Sequence, residues 1–512
     1  MTSIQTISKD NPDSLLWAAA FDAELDSLRS KKVFTEVLLP PFHRAIGTRP
    51  LFVTKRSGEK KVRIVAQGFS QRPGTDYTDT FAPVCRYASL RSFIALAAQH
   101  GLTIRQLDVK VAFLNAVLEE EVYVTPPTGY VRTIPNSVWL LHRALYGLKQ
   151  APRAWYIELR TKLSAYGFRP THADPSLFVK LDSSGQVIAQ ILVYVDDCLV
   201  AALCPDVVAT IVSIISQVWE VRDLGEPDDF LGIQIVRHSK HEISLHQSPY
   251  IDQLCDVFGV SSMSPKVLPM DPKVQFVKDM GSSITDPERY RKLVGALLHL
   301  TNCTRPDASF AINVLARYNQ APRTAHLEAG INLLRYIMGS SKLALTFGSG
   351  QQEMIYHDAD YASSLDDRRS TSGYVVLLNG AAVSWASKKQ PTVALSTMEA
   401  EYQSASLCAR EVLWLRHLWP SLGHAVKGPT IIHGDNAACL ALCASHQVTS
   451  QAKHISVLHH FATEHVQMNN ITFKYVASSS NVSDILTKAL FKPLLEQHRQ
   501  ALGLRTLQLP GR

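Results

Sequence analysis

None of the eight cysteines forms a CxxC pair; they lie at 85, 198, 204, 255, 303, 408, 439 and 443. That spacing excludes the compact zinc and redox motifs, and the scatter reads as buried free thiols of a reducing compartment. No run approaches the ~20 apolar residues that span a bilayer. The opening residues, Met1-Thr2-Ser3-Ile4-Gln5-Thr6-Ile7-Ser8-Lys9-Asp10, hold no apolar stretch of a secretory leader. The expectation is an intracellular protein with no membrane partner. There is no long Lys/Arg run, no internal repeat and no low-complexity tract, so any surface for a polyanion must be assembled by folding. What is there is ordinary globular composition, 46% hydrophobic and 19% charged, in 512 residues. That length is too great for one core and implies several domains. Lys plus Arg number 52 against 45 Asp plus Glu, and the resulting +7 fits a nucleic-acid partner without requiring one.

The most informative stretch is Tyr194-Val195-Asp196-Asp197-Cys198. Ile191–Val195 and Cys198–Ala202 are apolar runs on either side of two adjacent carboxylates, which predicts a strand, a tight turn and a returning strand. Both runs are too apolar to face water. Neighbouring anions at such a tip repel unless something neutralises them. Mg²⁺, which takes one or two protein carboxylates plus phosphate oxygens, would do so. An Asp-rich surface turn is the plainer alternative.

The hairpin resembles the polymerase active site of reverse transcriptases. Gln106-Leu107-Asp108-Val109-Lys110-Val111-Ala112-Phe113-Leu114-Asn115 is similar to the segment carrying a third catalytic carboxylate. Leu145-Tyr146-Gly147-Leu148-Lys149-Gln150-Ala151-Pro152-Arg153-Ala154-Trp155 resembles one branch in particular, the Ty1/Copia-type retrotransposon polymerases, and the likeness runs from about Leu16 to the C-terminal tail. The resemblance implies that Asp108, Asp196 and Asp197 hold two divalent metals, with Asp197 the more indirect member. It implies that Phe113 walls off a ribose 2′-hydroxyl, favouring dNTPs. Gly147 and Pro152 would shape the segment against the nascent pair, and Lys149 and Gln150 would meet phosphate or base. Lys61 and Arg63 in Lys61-Val62-Arg63-Ile64-Val65 would clamp a triphosphate, Tyr194 and Val195 would border the site, and Phe230-Leu231-Gly232 would grip the primer end.

A second acidic set lies further on. Ile355-Tyr356-His357-Asp358-Ala359-Asp360 places a carboxylate on a strand, and Ser396-Thr397-Met398-Glu399 is a capping box opening the helix that carries Glu401. Asp435 follows the apolar Thr430–Gly434, and Asp484 opens a last helical segment, where it could serve only as a cap. In this order Asp358, Glu401, Asp435 and Asp484 resemble the ribonuclease H carboxylates, again implying two metals, Mg²⁺ or Mn²⁺. Asp360 would share a strand face with Asp358 and is the rival ligand; Glu399 belongs to the cap. Cellular ribonucleases H carry a His in the loop before the last acid, where this chain reads Ala477-Ser478-Ser479-Ser480; His454 and His459 lie elsewhere.

The expected fold is an α+β multidomain chain: a polymerase with fingers, palm and the start of a thumb over 13–260, then thumb and connection over 261–350. A ribonuclease H-like α/β domain would follow over 351–495, and a tail over 496–512. Asn379-Gly380 between two apolar runs predicts a hairpin, and Gly348-Ser349-Gly350 reads as a flexible boundary. The expected function is RNA- and DNA-directed DNA synthesis with degradation of RNA in a hybrid. The partners would be an RNA template, a DNA primer and dNTPs, with a tRNA primer and an integrase encoded elsewhere. The setting would be a cytoplasmic virus-like particle or the nucleus. The rival is a catalytically inactive or domesticated relic that binds nucleic acid; no capsid, protease or integrase pattern is visible, yet all seven carboxylates are present. A two-carboxylate glycosidase leaves the second acidic set unexplained.

Overall fold

The computed structural model describes residues 12–54, 58–348, 350, 353–444 and 456–508. At its centre is a six-stranded antiparallel sheet. Its order is Val221–Gly225, Thr103–Val109, Asp197–Ala202, Val187–Tyr194, Leu177–Leu181 and Phe168–Pro170. Strand alternation sorts the apolar run after the acidic turn between two cores. Cys198, Val200 and Ala202 face one, and Leu199 and Ala201 the other. This is why that run has no polar face. Helix Tyr87–His100 covers one side of the sheet almost entirely buried and ends at Gly101 in the left-handed region, φ 62°. Helices Ala151–Ala165 and Pro205–Val218 cover the other, presenting Trp155, Leu159, Leu163 and Val208, Ile211, Ile215 at helical spacing.

An N-terminal lobe sits beside this sheet. Helix Ser14–Ser30 turns Trp17, Phe21, Leu25 and Leu28 inward against the hairpin Thr48–Thr54 and Lys60–Ala66. A three-stranded sheet, Phe34–Val37, Val138–Arg143 and Val117–Val124, completes it.

Further along, helices Ser248–Phe258, Pro287–Cys303, Ser309–Ala316 and Thr324–Gly339 pack on a second antiparallel sheet. That sheet runs Asp229–Phe230, Ile233–Ser239, Glu242–His246, Leu343–Phe347 and, last, Leu504–Thr506 from the chain's far end. The third sheet is mixed: Ala381–Lys389, Thr371–Leu378 and Met354–Asp360 are antiparallel, while Thr430–Gly434 and Ile471–Tyr475 run parallel to Met354–Asp360. Asn379 and Gly380 turn its hairpin with φ of 51° and 87°, the mirror-image turn that matches strand twist. Helix Thr397–Ser421 packs on this sheet, with Ser396 Oγ accepting from Glu399 N–H at 3.1 Å and Glu399 accepting from Leu395 N–H at 2.7 Å.

Two expectations are corrected. Asp484 lies in a single 3₁₀ turn, Val482–Leu486, and the next helix is Lys492–Ala501. The turn is set by Asn481, whose side chain accepts from Ser483 N–H while donating to His357 O at 2.9 Å. The Gly348–Gly350 stretch does not read as a loose link either. Gly348 N–H donates to Asn379 O and Gly350 N–H to Asn379 Oδ1; Ser349 itself lies outside the described residues.

One apolar core is continuous from helix Tyr87–His100 through the helical group into the mixed sheet. Arg91 is buried in that joint. Its Nε donates to Val383 O at 2.7 Å, its Nη1 to Asn302 O and Cys303 O at 2.7 and 2.9 Å, and its guanidinium lies 3.9 Å from the Trp385 ring centre. Trp419 donates to Ser92 Oγ, Asn379 to Ala95 O, Trp414 to Ala173 O and Gln190 to Leu422 O across the same joint.

Candidate functional site

The first acidic set is built by strand register. Asp197 pairs directly opposite Asp108 in the antiparallel ladder, and the Asp196 carbonyl accepts from Val109 N–H at 2.8 Å. Directly opposed residues hold their Cβ atoms about 5 Å apart on one face, so both carboxylates share it. Burial pushes Asp196 above the usual carboxylate range and Asp108 adds to this, while Arg63 and Lys61 oppose it. Asp197 is pushed up to about 6, by burial and then by Asp196 and Asp108, against a hydrogen bond from Gln106. Acids that disfavour each other's charge at one spot are the donor set that suits a hard divalent cation.

The turn between them is held in an uncommon conformation. Val195 has φ of 58°, a costly region for a β-branched residue. Trp155 Nε1 donates to the Val195 carbonyl at 2.6 Å, tying helix Ala151–Ala165 to the turn. Tyr194 ends the strand before it. Phe113 sits on the 3₁₀ turn Ala112–Asn115, with its ring 5.1 Å from that of Tyr146. Arg63 lies 5.1 Å from the Tyr146 ring on its other contact. Gly147, at φ 90°, lies against the backbone of Ala66, where a Cβ would collide. Ala66 N–H donates to Tyr146 O at 2.7 Å, which joins the hairpin carrying Lys61 and Arg63 to the segment leading into helix Ala151–Ala165.

Lys149 and Gln150 are engaged within the chain. Gln150 is buried, accepts from Gln71 Nε2 and donates to the Asp76 carbonyl; Lys149 donates to Gln71 O and Tyr77 Oη. Pro152 opens its helix, and Phe230 is buried ahead of the Leu231-Gly232 turn, whose φ values are 57° and 74°.

The second set converges from four elements. One carboxylate oxygen from each of Asp358, Glu401 and Asp435 lies within 4.8 Å of the others. Asp358 and Glu401 are buried, and Asp360 is outside this trio. Asp484 is buried beside them, and Lys488 Nζ lies 3.0 Å from Asp484 Oδ1 and 3.7 Å from Asp358 Oδ2. Thr487 Oγ1 donates to Asp358, and Ser404 Oγ to the Asp358 carbonyl at 2.6 Å. Glu401 is pushed up by burial and then by Asp358; Asp484 is raised by burial and Asp358 despite Lys488. Glu401 Oε2 has no hydrogen-bond partner among the described residues. A buried, partnerless carboxylate oxygen beside two further acids fits a divalent cation. Residue-by-residue reading did not single out Trp155, Lys488, Thr487 or His357. Lys488 stands four residues after Asp484, a spacing that signals a shared helical face. His454 lies outside the described residues, as does the side chain of His459.

Comparison with known proteins agrees with this architecture. Residues 31–272 match the family model described as reverse transcriptase (RNA-dependent DNA polymerase). The chain is 36% identical to the retrovirus-related Pol polyprotein from transposon RE1 of Arabidopsis thaliana, over 98% of this chain and 34% of that protein. It is 32% identical to that of transposon TNT 1-94 of Nicotiana tabacum, over 97% of this chain and 38% of the relative. A putative transposon Ty5-1 protein of Saccharomyces cerevisiae is 34% identical over 60% of this chain and 100% of its own length. Among solved structures, a foamy viral protease-reverse transcriptase in complex with an RNA/DNA hybrid superposes with a TM-score of 0.50 at 10% identity, over 90% of this chain and 54% of the other. That likeness is one of fold. The family match makes residues 31–272 a reverse transcriptase domain. The chain belongs to the Pol polyproteins of Ty1/Copia-type retrotransposons, and it spans about a third of the length of the plant polyproteins it matches.

Proposed function

We propose that this chain copies RNA, and then DNA, into DNA from dNTPs and cleaves the RNA strand of the resulting hybrid. The observation that carries the first half is the register placing Asp108 opposite Asp197 beside Asp196. In this reading the six-stranded sheet is the palm, the N-terminal lobe the fingers, the helical group the thumb and connection, and the mixed sheet the ribonuclease H domain. Bound at each set, Mg²⁺ or Mn²⁺ would activate the attacking oxygen and neutralise charge on the phosphate.

The chain's own residues do the rest. Asp108, Asp196 and Asp197 hold the cations at the palm, and Trp155 keeps the acidic turn in shape. Lys61 and Arg63 offer positive charge to a triphosphate, and Phe113, backed by Tyr146, walls the sugar. At the second set Asp358, Glu401, Asp435 and Asp484 are the holders, and Lys488 screens them. The intact geometry of both sets supports this reading over an inactive relic. A tRNA primer, an integrase and a virus-like particle belong to the same reading and rest on the resemblance. The test is extension of a primed RNA template by the purified chain with Mg²⁺ and dNTPs, beside cleavage of a labelled hybrid. A folded chain that yields neither product overturns it.

A further inference from the structure

His357 is a buried group that neither acidic set uses. Its ring is fully buried, and neither ring nitrogen has a hydrogen-bond partner among the described residues. A buried polar group left unpaired is destabilising and rare, so it calls for an explanation. The ring is fixed from behind: its Nε2 edge lies on Gly434, where any Cβ would overlap it, and the Phe473 ring stands edge-on 5.9 Å away. The His357 carbonyl is held by Asn481 at 2.9 Å. The other edge faces the acidic set. Nδ1 is 3.6 Å from Glu401 Oε2, the oxygen that also lacks a partner. Two partnerless polar atoms, each buried, thus face each other just beyond hydrogen-bond length. Burial keeps the imidazole from any substrate, so it can act only through a neighbour.

We propose that His357 is a positioning residue for Glu401. Its Nδ1–H steers the carboxylate so that Glu401 shares a cation with Asp358 and Asp435. This rests on the nuclease reading of that set. Groups that orient metal-holding carboxylates typically matter about 10–100-fold in metal affinity. His433, next to Gly434, does not compete for the role, because its Nδ1 is bonded to the Ile355 carbonyl at 3.0 Å.

The test uses the full chain carrying Asp108→Asn and Asp196→Asn, which silences the other set. Mn²⁺ is titrated in and the free ion counted by electron paramagnetic resonance. The Mg²⁺ level for half-maximal hybrid cleavage is measured on the same proteins. His357→Leu and His357→Asn leave similar space and differ in the amide donor that Asn keeps near the Nδ1 position. The Leu variant is expected to bind Mn²⁺ about tenfold more weakly and to need about tenfold more Mg²⁺, while the Asn variant stays within about threefold of the parent. Parent-like Mn²⁺ affinity in the Leu variant overturns the proposal and leaves the nuclease reading standing. A parent that neither binds Mn²⁺ nor cuts the hybrid overturns both. Where His357→Leu does not fold, the Asn variant decides: near-parent affinity supports the role, and a tenfold loss ends it.

Discussion

The two acidic sets are built in opposite ways. Asp108 and Asp197 come from neighbouring strands of one antiparallel sheet, and Asp196 from the turn just before Asp197. Asp358, Glu401, Asp435 and Asp484 come from a strand, a helix, a segment following a strand and a 3₁₀ turn. The first set is partly open, as the proposed polymerase site would require to admit a triphosphate and two strands. Much of the second is buried, with Lys488 and His357 filling space around it. A local motif survives modest change elsewhere, whereas a set drawn from four elements depends on the whole domain's packing. In the proposed reading the sets are chemically separate, yet one apolar core runs between them, so separate chemistry would not imply separate stability.

The largest effect should come from testing that chemical separation. Removing one ligand charge at a two-metal centre is expected to cost several kcal/mol of barrier, about three orders of magnitude in rate. Asp196→Asn should therefore stop primer extension and leave hybrid cleavage within a few-fold, and Asp435→Asn should do the reverse. Primer extension and hybrid cleavage, read side by side on each protein, check it. Loss of both activities in either folded variant would break the comparison.

The shared core is tested through Arg91. Its guanidinium satisfies three carbonyls from two elements, Val383 O and the Asn302 and Cys303 carbonyls. Arg91→Ala deletes charge-assisted hydrogen bonds and strands those acceptors, which is expected to cost about 3–5 kcal/mol. Urea denaturation should show a lower midpoint, and both activities should fade together on warming. Arg91→Lys, with a point charge in place of the planar fork, should recover part of the loss. An Ala variant that keeps extending primers after its mixed-sheet half has melted would show that the joint is dispensable.

How much of this was legible in the sequence follows the same contrast. The acidic hairpin could be read from five residues, because apolar runs on both sides of Asp196-Asp197 leave few other conformations. The Asn379-Gly380 hairpin and the Ser396 cap were legible for the same local reason. The joint was not. Gly348 and Gly350 look like a linker by composition, and only the fold shows them bonded to Asn379. Nothing near Arg91 in the chain signals its three carbonyl partners, which arrive from positions 302, 303 and 383. Trp155 could be recognised as part of a motif, but its hydrogen bond to a strained Val195 is a tertiary fact. Interactions across hundreds of residues leave no periodicity to read.

The smallest effect concerns protons and compares the sets without metal. The fold raises Asp197 to about 6 from an ordinary 3.8, so the native chain favours the protonated form there. A raised carboxylate contributes stability that is full below its ordinary value and lost as pH climbs through the folded one. In EDTA the melting temperature should therefore fall between about pH 4 and pH 7 on this account. Mg²⁺, which favours the ionised acid, should stabilise more at pH 7.5 than at pH 5. Asp197→Asn carries no proton to lose. Its metal-free profile should be flatter than the parent's across that window, by about a degree or two in a chain of this size. Asp484 is raised further, to about 7, by burial and Asp358 even with Lys488 opposing, so Asp484→Asn should flatten the metal-free profile at least as much as Asp197→Asn. Differential scanning calorimetry in EDTA at pH 5, 6 and 7.5 reads all three proteins. An Asp197 variant whose melting tracks the parent at every pH would mean that burial and the neighbouring acids do not raise Asp197 in the folded chain.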